Sequence, residues 1–158
     1  MMKHNFQIKA IDQTSIEHLF QLNDAELAQI DAVRMTVDQK PGFPCRVSLE
    51  DAEVGEEVLL FSYDHLKVKS PYKGHSPIFV RKHAATAQPQ VNEIPLMLHH
   101  RVLSIRAFDE KAMMQTARTI KGKNLESTIE ELFDNPQVQF LQVHNAGPGC
   151  YNCQVDRV

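Results

Sequence analysis

Residue types typical of catalytic and metal sites are concentrated near the carboxyl end of the chain, in the segment HNAGPGCYNC at residues 144–153. Its composition is compatible with a metal site, a redox pair, part of a nucleophilic centre or a glycine-rich turn between two strands. Zinc would need the sulfurs of Cys150 and Cys153 on one side, together with two further ligands. If a regular strand follows residue 149, Tyr151 and Cys153 face one side of it, and Cys150 and Asn152 face the other. This alternation separates the two sulfurs, and we predict no metal site.

A cysteine nucleophile is a second interpretation of the same residue types. A thioredoxin-like pair is disfavoured, because its first cysteine begins a helix and no helix is predicted after Cys150. Cys45 lies beside Arg46, whose charge would favour a thiolate, and His144 with Asn145 could supply a base and its orienting partner. Cys150 is the alternative nucleophile, and no local feature separates the two cysteines. A small buried thiol is nevertheless the commoner fate of a cysteine.

Arg106 is a candidate for contact with a small molecule. It belongs to HRVLSIRAF at residues 100–108, which is typical of a strand. Alternation would place Arg106 on the face with Ser104, opposite Leu103 and Ile105. On that face the side chain either points to solvent or lines a pocket.

Tyr72 is a candidate of the same kind. It lies in SPYKGHSP at residues 70–77, a stretch with a proline near each end. Such a loop is expected to be rigid, and rigid loops can carry functional sites, although a packed tyrosine in a turn is the simpler interpretation. The candidate ligand-binding residues are then Arg46, Tyr72, Arg106, His144 and Asn145.

The composition limits the classes of function. The chain of 158 residues has a net charge of −3 and an apolar fraction of 42%, which predicts one globular domain over residues 1–158. The sequence has no basic cluster of the kind that binds nucleic acid, and none of its apolar runs approaches the length of a membrane span. The first residues, MMKHNFQIKAIDQ, lack the features of a secretory signal. Three cysteines, an odd number, suit a reducing compartment, so we expect a cytoplasmic protein of bacterial type.

The order of the predicted elements indicates the fold class. Glycine, proline and capping residues separate eight strand-like and three helix-like segments, and the strand-like ones are mostly adjacent in sequence. This order favours an α+β fold with a mainly antiparallel sheet or a partly closed barrel. No glycine-rich strand-to-helix turn is present, so no nucleotide cofactor is predicted. The predicted strands are 6–11, 32–37, 56–66, 76–83, 100–108, 115–122, 138–143 and 150–158, and the predicted helices are 15–22, 24–30 and 124–133. Asn23 and Asp24 can end the first helix and cap the second, and Asn124 can cap the third.

Four segments together resemble a family of bacterial proteins, the domain-of-unknown-function family numbered twelve hundred and three. They are GFPCRVSLEDAEVGEEVLLFSY, SPYKGHSPIFV, LSIRAFDEKAMM and VQFLQVHNAGPGCYNCQVDR, and the likeness extends from about Phe6 to Arg157. The resemblance implies no activity. It differs at Ser76, where the family tends to have glycine, and at His144, where arginine is common. Because arginine is no base at pH 7, position 144 is more typical of polar binding or turn formation than of proton transfer.

Three functions from different classes are therefore open. The first, which we favour, is a small cytosolic domain that binds an anionic small molecule through the candidate residues. The second is an enzyme that uses Cys45 or Cys150. The third is a structural or interaction protein in which the same turns only stabilise the sheet. The sequence leaves the oligomeric state open.

Overall fold

The computed structural model describes residues 3–158 and shows an α+β fold dominated by antiparallel strands. The strands are β1 (Phe6–Lys9), β2 (Val33–Thr36), β3 (Glu57–Leu66), β4 (Gly74–Arg81), β5 (Val102–Phe108), β6 (Met114–Lys121), β7 (Phe140–Asn145) and β8 (Tyr151–Arg157). The α-helices are α1 (Asp24–Gln29), α2 (Leu96–His99) and α3 (Leu125–Phe133), and short 3-10 helices span Gln13–Ser15, Glu17–Gln21 and Gly122–Asn124.

Five strands form the larger sheet, in the order β1, β8, β7, β5 and β6. One face carries fully buried residues such as Ile105 of β5 and Val143 of β7, which pack in one core with Ile129 of α3. Burying each such side chain contributes about 1.5–3 kcal/mol to folding. Since side chains alternate along a strand, the polar residues between these positions lie on the opposite face of the sheet. This second surface includes Ser104, Arg106, Gln142 and His144, and we call it the polar face.

The smaller sheet contains β2, β3 and β4, in that order. Leu59 of β3 and Val80 of β4 pack in a second core that also contains Tyr151 of β8. The backbone N–H of Tyr151 donates to Ser76 Oγ of β4 over 3.0 Å. The smaller sheet therefore contacts the larger one at the start of β8.

The predicted fold class is confirmed, and both sheets are open. Residues 15–22 were expected to form a helix, but they contain a 3-10 helix at Glu17–Gln21, none of whose residues is buried. A segment this short gains too few hydrogen bonds to form a stable α-helix without packing. Helix α2, a single turn, was not predicted. None of the helices within residues 3–158 is long and apolar enough to cross a membrane.

The two predicted helix starts had different outcomes. Asn23 caps α1 through a capping box with Glu26, as the sequence indicates. Asn124 was expected to cap α3, but its side chain makes no capping bond. It already belongs to the 3-10 helix before α3, so it lacks the extended backbone of an N-cap residue. Its carbonyl instead accepts bonds from the hydroxyls of Ser127 and Thr128.

An irregularity in β8 corrects the predicted alternation of its first residues. Cys153 pairs with Val143, whereas Tyr151 pairs with His144, so the register shifts at Asn152. The extra residue of such a bulge moves the preceding side chains to the other face of the strand. Tyr151 therefore lies on the polar face, rather than on the side of Cys153 as predicted.

Candidate functional site

Arg46 is the centre of a buried polar cluster. Its backbone N–H donates to the Phe79 carbonyl of β4, which fixes the segment after Pro44 against the smaller sheet. The side chain is 1% exposed and donates from Nε to the Tyr151 carbonyl over 2.7 Å and from Nη1 to the Pro44 carbonyl over 2.6 Å. Nη2 lies 3.2 Å from Cys150 Sγ. Burial lowers the pKa of Arg46, and the neighbouring Cys150 sulfur acts in the opposite direction.

The sulfur of Cys150 has a second donor. Asn145 Nδ2 lies 3.3 Å from Sγ, while Asn145 Oδ1 accepts a bond of 2.8 Å from Asn152 Nδ2. Asn152 is fully buried, and its Oδ1 has no hydrogen-bond partner within residues 3–158. Arg46, Asn145 and Cys150 are thus in direct contact, with Asn152 holding the amide of Asn145 in place.

His144 lies on the polar face beside this cluster. Nδ1 is 2.9 Å from the Gly149 carbonyl, and Nε2 is 3.1 Å from Gln142 Oε1. Burial lowers the pKa of His144 to about 3, and the charge of Arg106 also lowers it, so the imidazole is neutral at pH 7. A neutral ring has one N–H, which can serve only one of these two acceptors.

A group of aromatic rings links His144 to the smaller sheet. His65 of β3 meets it edge-on with ring centroids 4.8 Å apart, and stacks on Tyr151 at 5.4 Å. Gln142 makes two hydrogen bonds with His65: its Oε1 lies 2.9 Å from His65 Nδ1, and its Nε2 donates to the His65 carbonyl over 2.7 Å. Burial lowers the pKa of His65 as well.

Arg106 lies on the polar face directly opposite Gln142, and Ser104 lies opposite His144. Its position on the face with Ser104 confirms the predicted alternation of β5. The only hydrogen bond of the Arg106 side chain within residues 3–158 is a long one of 3.5 Å from Nε to Ser104 Oγ. No carboxylate of the described residues lies within 4 Å of its guanidinium. Burial lowers the pKa of Arg106, and no acidic neighbour acts against that shift.

The other arginines have partners. Four of them form ion pairs with carboxylates, and the remaining two bond to backbone carbonyls. Arg106 therefore differs from every other arginine in having a half-buried guanidinium that the protein leaves almost unpaired. The ion pairs are Arg34 with Asp24 and Glu57, Arg81 with Glu56, Arg101 with Asp51 and Arg118 with Glu131, and the carbonyl-bonded residues are Arg46 and Arg157.

Tyr72 lies farther along the polar face. Its ring is 40% exposed and meets the ring of Phe108 edge-on at 6.1 Å. Phe108 is two residues beyond Arg106 on the same face of β5. Tyr72 thus borders the part of the polar face around Arg106, which we call the Arg106 surface, on the side away from His144. It makes no hydrogen bond with the Arg46 cluster.

The three cysteines have separate environments. Cys45 and Cys153 are fully buried, whereas Cys150 is partly exposed. Burial raises the pKa of Cys153 to about 12. The regular alternation that was expected to separate Cys150 from Cys153 is interrupted by the bulge at Asn152. The two sulfurs have different surroundings, since Cys153 packs in the core of the larger sheet and Cys150 contacts Arg46 and Asn145. No group of three or more metal-binding side chains is assembled in residues 3–158.

Sequence reasoning missed Gln142, His65 and Asn152. Gln142 could have been found, because it precedes His144 by two residues on one strand and must share its face. His65 gives no such signal, since it lies 77 residues from Gln142 in the chain. Asn152 was assigned to the other face from Tyr151, and its buried contact depends on the bulge.

The fold and these sites define a small α+β domain with a polar sheet face and a buried arginine–cysteine contact. A family described as a protein of unknown function (DUF1203) matches residues 42–157, and the chain belongs to this family. The match begins after β2 and includes all of the candidate site residues. No curated protein and no solved structure matches the chain.

Proposed function

We propose that the protein binds a small molecule with a carboxylate or phosphate group, and that Arg106 is the residue that recognises it. The observation that carries this proposal is the half-buried guanidinium of Arg106, which within residues 3–158 has one hydrogen bond of 3.5 Å and no carboxylate within 4 Å. A charge withdrawn from water without a partner is unfavourable. A planar guanidinium with free donors matches the two oxygens of a carboxylate or phosphate group.

The neighbours of Arg106 favour an anion over a cation. His144 is neutral at pH 7, so its ring carries no charge and Arg106 remains the charged group of this neighbourhood. Ser104 lies beside Arg106 on the polar face and supplies a neutral hydroxyl, whereas the amide of Gln142 is already bonded to His65 and His144. In this proposal Tyr72 borders the ligand on the side of Arg106 away from His144, where its exposed ring contacts Phe108 edge-on.

Arg46 and Asn145 have a different place in this proposal from the one their residue types suggest. Arg46 is 1% exposed, and all three of its nitrogens already bond to protein atoms. In this proposal it fixes the local structure and does not touch the ligand. Asn145 lines a shallow cavity of about 390 Å³ with Pro44 and Pro148, on the side of the Arg46 cluster.

The proposal includes a bacterial cytoplasmic location. Three cysteines without a disulfide, one of them partly exposed, fit a reducing compartment. It includes a small-molecule ligand as the only partner, without nucleic acid or membrane, because the net charge is −3 and the sequence has no cluster of basic residues.

Citrate and inorganic phosphate are suitable probes for this site. We expect either anion, at constant ionic strength, to shift the backbone amide resonances of residues 104–108 and 142–144, and we expect Arg106→Gln to abolish the shifts. Arg118→Gln is the matched control, because Arg118 lies on the next strand and pairs with Glu131 of α3 on the opposite side of the sheet.

Two outcomes would contradict the proposal. One is the absence of any shift at millimolar citrate and phosphate. The other is an Arg106→Gln variant that responds like the wild type. If Arg106→Ala and Tyr72→Phe only lower the melting temperature, the residues have a structural role.

A further inference from the structure

Cys150 differs from the other cysteines in the groups around its sulfur. Arg46 Nη2 lies 3.2 Å and Asn145 Nδ2 lies 3.3 Å from Sγ. A guanidinium and an amide NH₂ group can only donate hydrogen bonds. The sulfur therefore accepts from both sides, which is the arrangement that stabilises a negatively charged sulfur.

Arg46 gives an independent reason for a negative charge at this place. Its side chain is 1% exposed, and within residues 3–158 it has no carboxylate partner. A buried cation is stable only when a compensating charge or a full set of hydrogen bonds surrounds it. The two carbonyls that Arg46 contacts are neutral, so the sulfur of Cys150 is the contacting atom that can carry the opposite charge.

Asn152 holds the second donor in place. Its Nδ2 donates a hydrogen bond of 2.8 Å to Asn145 Oδ1, so the NH₂ group of Asn145 points to Cys150. Asn152 is fully buried, and its own Oδ1 has no partner among the described residues. An unpaired buried acceptor is unfavourable, and such groups are typical of functional sites.

The sulfur is also accessible. Cys150 is partly exposed, next to Asn145, Gly147 and Pro148, which line the cavity of about 390 Å³. Cys45 and Cys153 are fully buried in different hydrophobic clusters. A reagent in solution therefore meets one thiol at this surface, and no second exposed cysteine is near enough to resolve a product.

We propose that Cys150 is a nucleophile that undergoes exchange, through its thiolate form, with low-molecular-weight disulfides and carries the resulting mixed disulfide. The sulfur of Cys150 attacks one sulfur of the disulfide, an S–S bond forms to Cys150, and the original S–S bond breaks. The departing thiolate takes the electron pair of that bond. Arg46 and Asn145 are positioning residues that stabilise the attacking sulfur. The adduct persists until an external thiol reverses the exchange.

The probe for this reaction is 4,4′-dithiodipyridine, which is uncharged near neutral pH and so does not depend on the anion proposed at Arg106. We expect one thiol per chain of the native protein to react in a fast phase, and mass spectrometry to place the adduct on Cys150. Cys150→Ser removes the fast phase. Arg106→Gln leaves it unchanged, so the two proposals can fail separately.

Variants of Asn145 test whether its amide activates the sulfur of Cys150. We expect Asn145→Ala to slow the fast phase about tenfold, the equivalent of one hydrogen bond to a charged group, and to move the pH profile of the rate towards higher pH. Asn135→Ala, in an exposed loop after α3, is the matched control and should react like the wild type. Thermal melts of each variant confirm that the fold is retained.

Three results would overturn this inference. The first is a native protein without a fast phase, and the second is a fast phase that survives in Cys150→Ser. The third is an Asn145→Ala variant with an unchanged rate and pH profile, which would show that exposure alone explains the reaction.

Discussion

Arg46 and Arg106 are two arginines without a carboxylate partner, and the regions around them differ in how far they satisfy the charge. Around Arg46, two backbone carbonyls and the Cys150 sulfur occupy all three nitrogens, and the side chain is 1% exposed. Around Arg106, Ser104 provides the one hydrogen bond found in the described part of the chain, a long one of 3.5 Å, and the guanidinium remains half-buried. Within residues 3–158 neither arginine has an acidic partner, but the hydrogen-bond donors of Arg46 are occupied by protein atoms, whereas most donors of Arg106 are free.

The difference indicates different roles for the two residues. Arg46 joins the segment at Pro44, the start of β8 and Cys150, so its bonds fix the local structure. Arg106 joins no separate parts of the chain, and its free donors are available to a ligand. Stability should therefore depend on Arg46, and anion recognition should depend on Arg106.

The largest expected effect is on stability at Arg46. Arg46→Met leaves the Pro44 and Tyr151 carbonyls without their donor inside the protein, and we expect a loss of about 3 kcal/mol in the free energy of unfolding. Arg106→Met should cost less than about 1 kcal/mol, because its one side-chain hydrogen bond among the described residues is long. Urea unfolding measures both, and equal losses would remove the contrast between the two regions.

The next effect concerns pH and the neutral His144 between the two arginines. Burial lowers its pKa to about 3 in the folded protein, whereas the unfolded chain takes up a proton near pH 6.5. Between these values the unfolded state binds more protons, so stability falls as pH decreases from 6.5 towards 3. The slope from His144 is at most about 1.4 kcal/mol per pH unit.

The measurement is urea unfolding of the wild type and of His144→Gln at several pH values. The variant should show a flatter dependence between pH 6.5 and 4, whatever its absolute stability. His18→Gln, in the exposed 3-10 helix Glu17–Gln21, is the control and should keep the wild-type slope. A His144→Gln variant with the wild-type slope would show that the ring is not held neutral.

The smallest effect is expected at Tyr72, at the far side of the Arg106 surface. Its ring is 40% exposed, and its edge contact with Phe108 does not involve the hydroxyl. Tyr72→Phe should change the free energy of unfolding by less than about 0.5 kcal/mol. A larger loss by thermal or urea unfolding would assign the hydroxyl a structural role and would weaken the place of Tyr72 beside a ligand.

Much of the sheet was predictable from local pattern. Alternation along β5 assigned Arg106 to the face opposite Ile105, and the cap candidate Asn23 marked the start of α1. These features depend on neighbours within a few residues, which the sequence displays directly. The 3-10 helix at Glu17–Gln21 was not predictable in this way, because its helical spacing is real but its packing is too slight to complete an α-helix.

The site residues were harder to assign because their contacts are distant in the chain. Arg46 meets Cys150 across 104 residues, and Gln142 meets His65 across 77. The sequence suggested that Arg46 and Asn145 could contribute to a site, but it contained no sign that Arg46 is enclosed by carbonyls. The bulge at Asn152 was equally hidden, because nothing in CYNCQV marks an extra residue in the strand.

The most direct test of the contrast is the Nε–Hε resonances of the arginine side chains in a ¹⁵N-labelled sample, assigned by Arg106→Gln and followed during a citrate titration. We predict that the Arg106 resonance shifts progressively while the Arg46 resonance, whose Nε is bonded to the Tyr151 carbonyl, stays in place. An unmoved Arg106 resonance, or equal shifts of both resonances, would contradict the account.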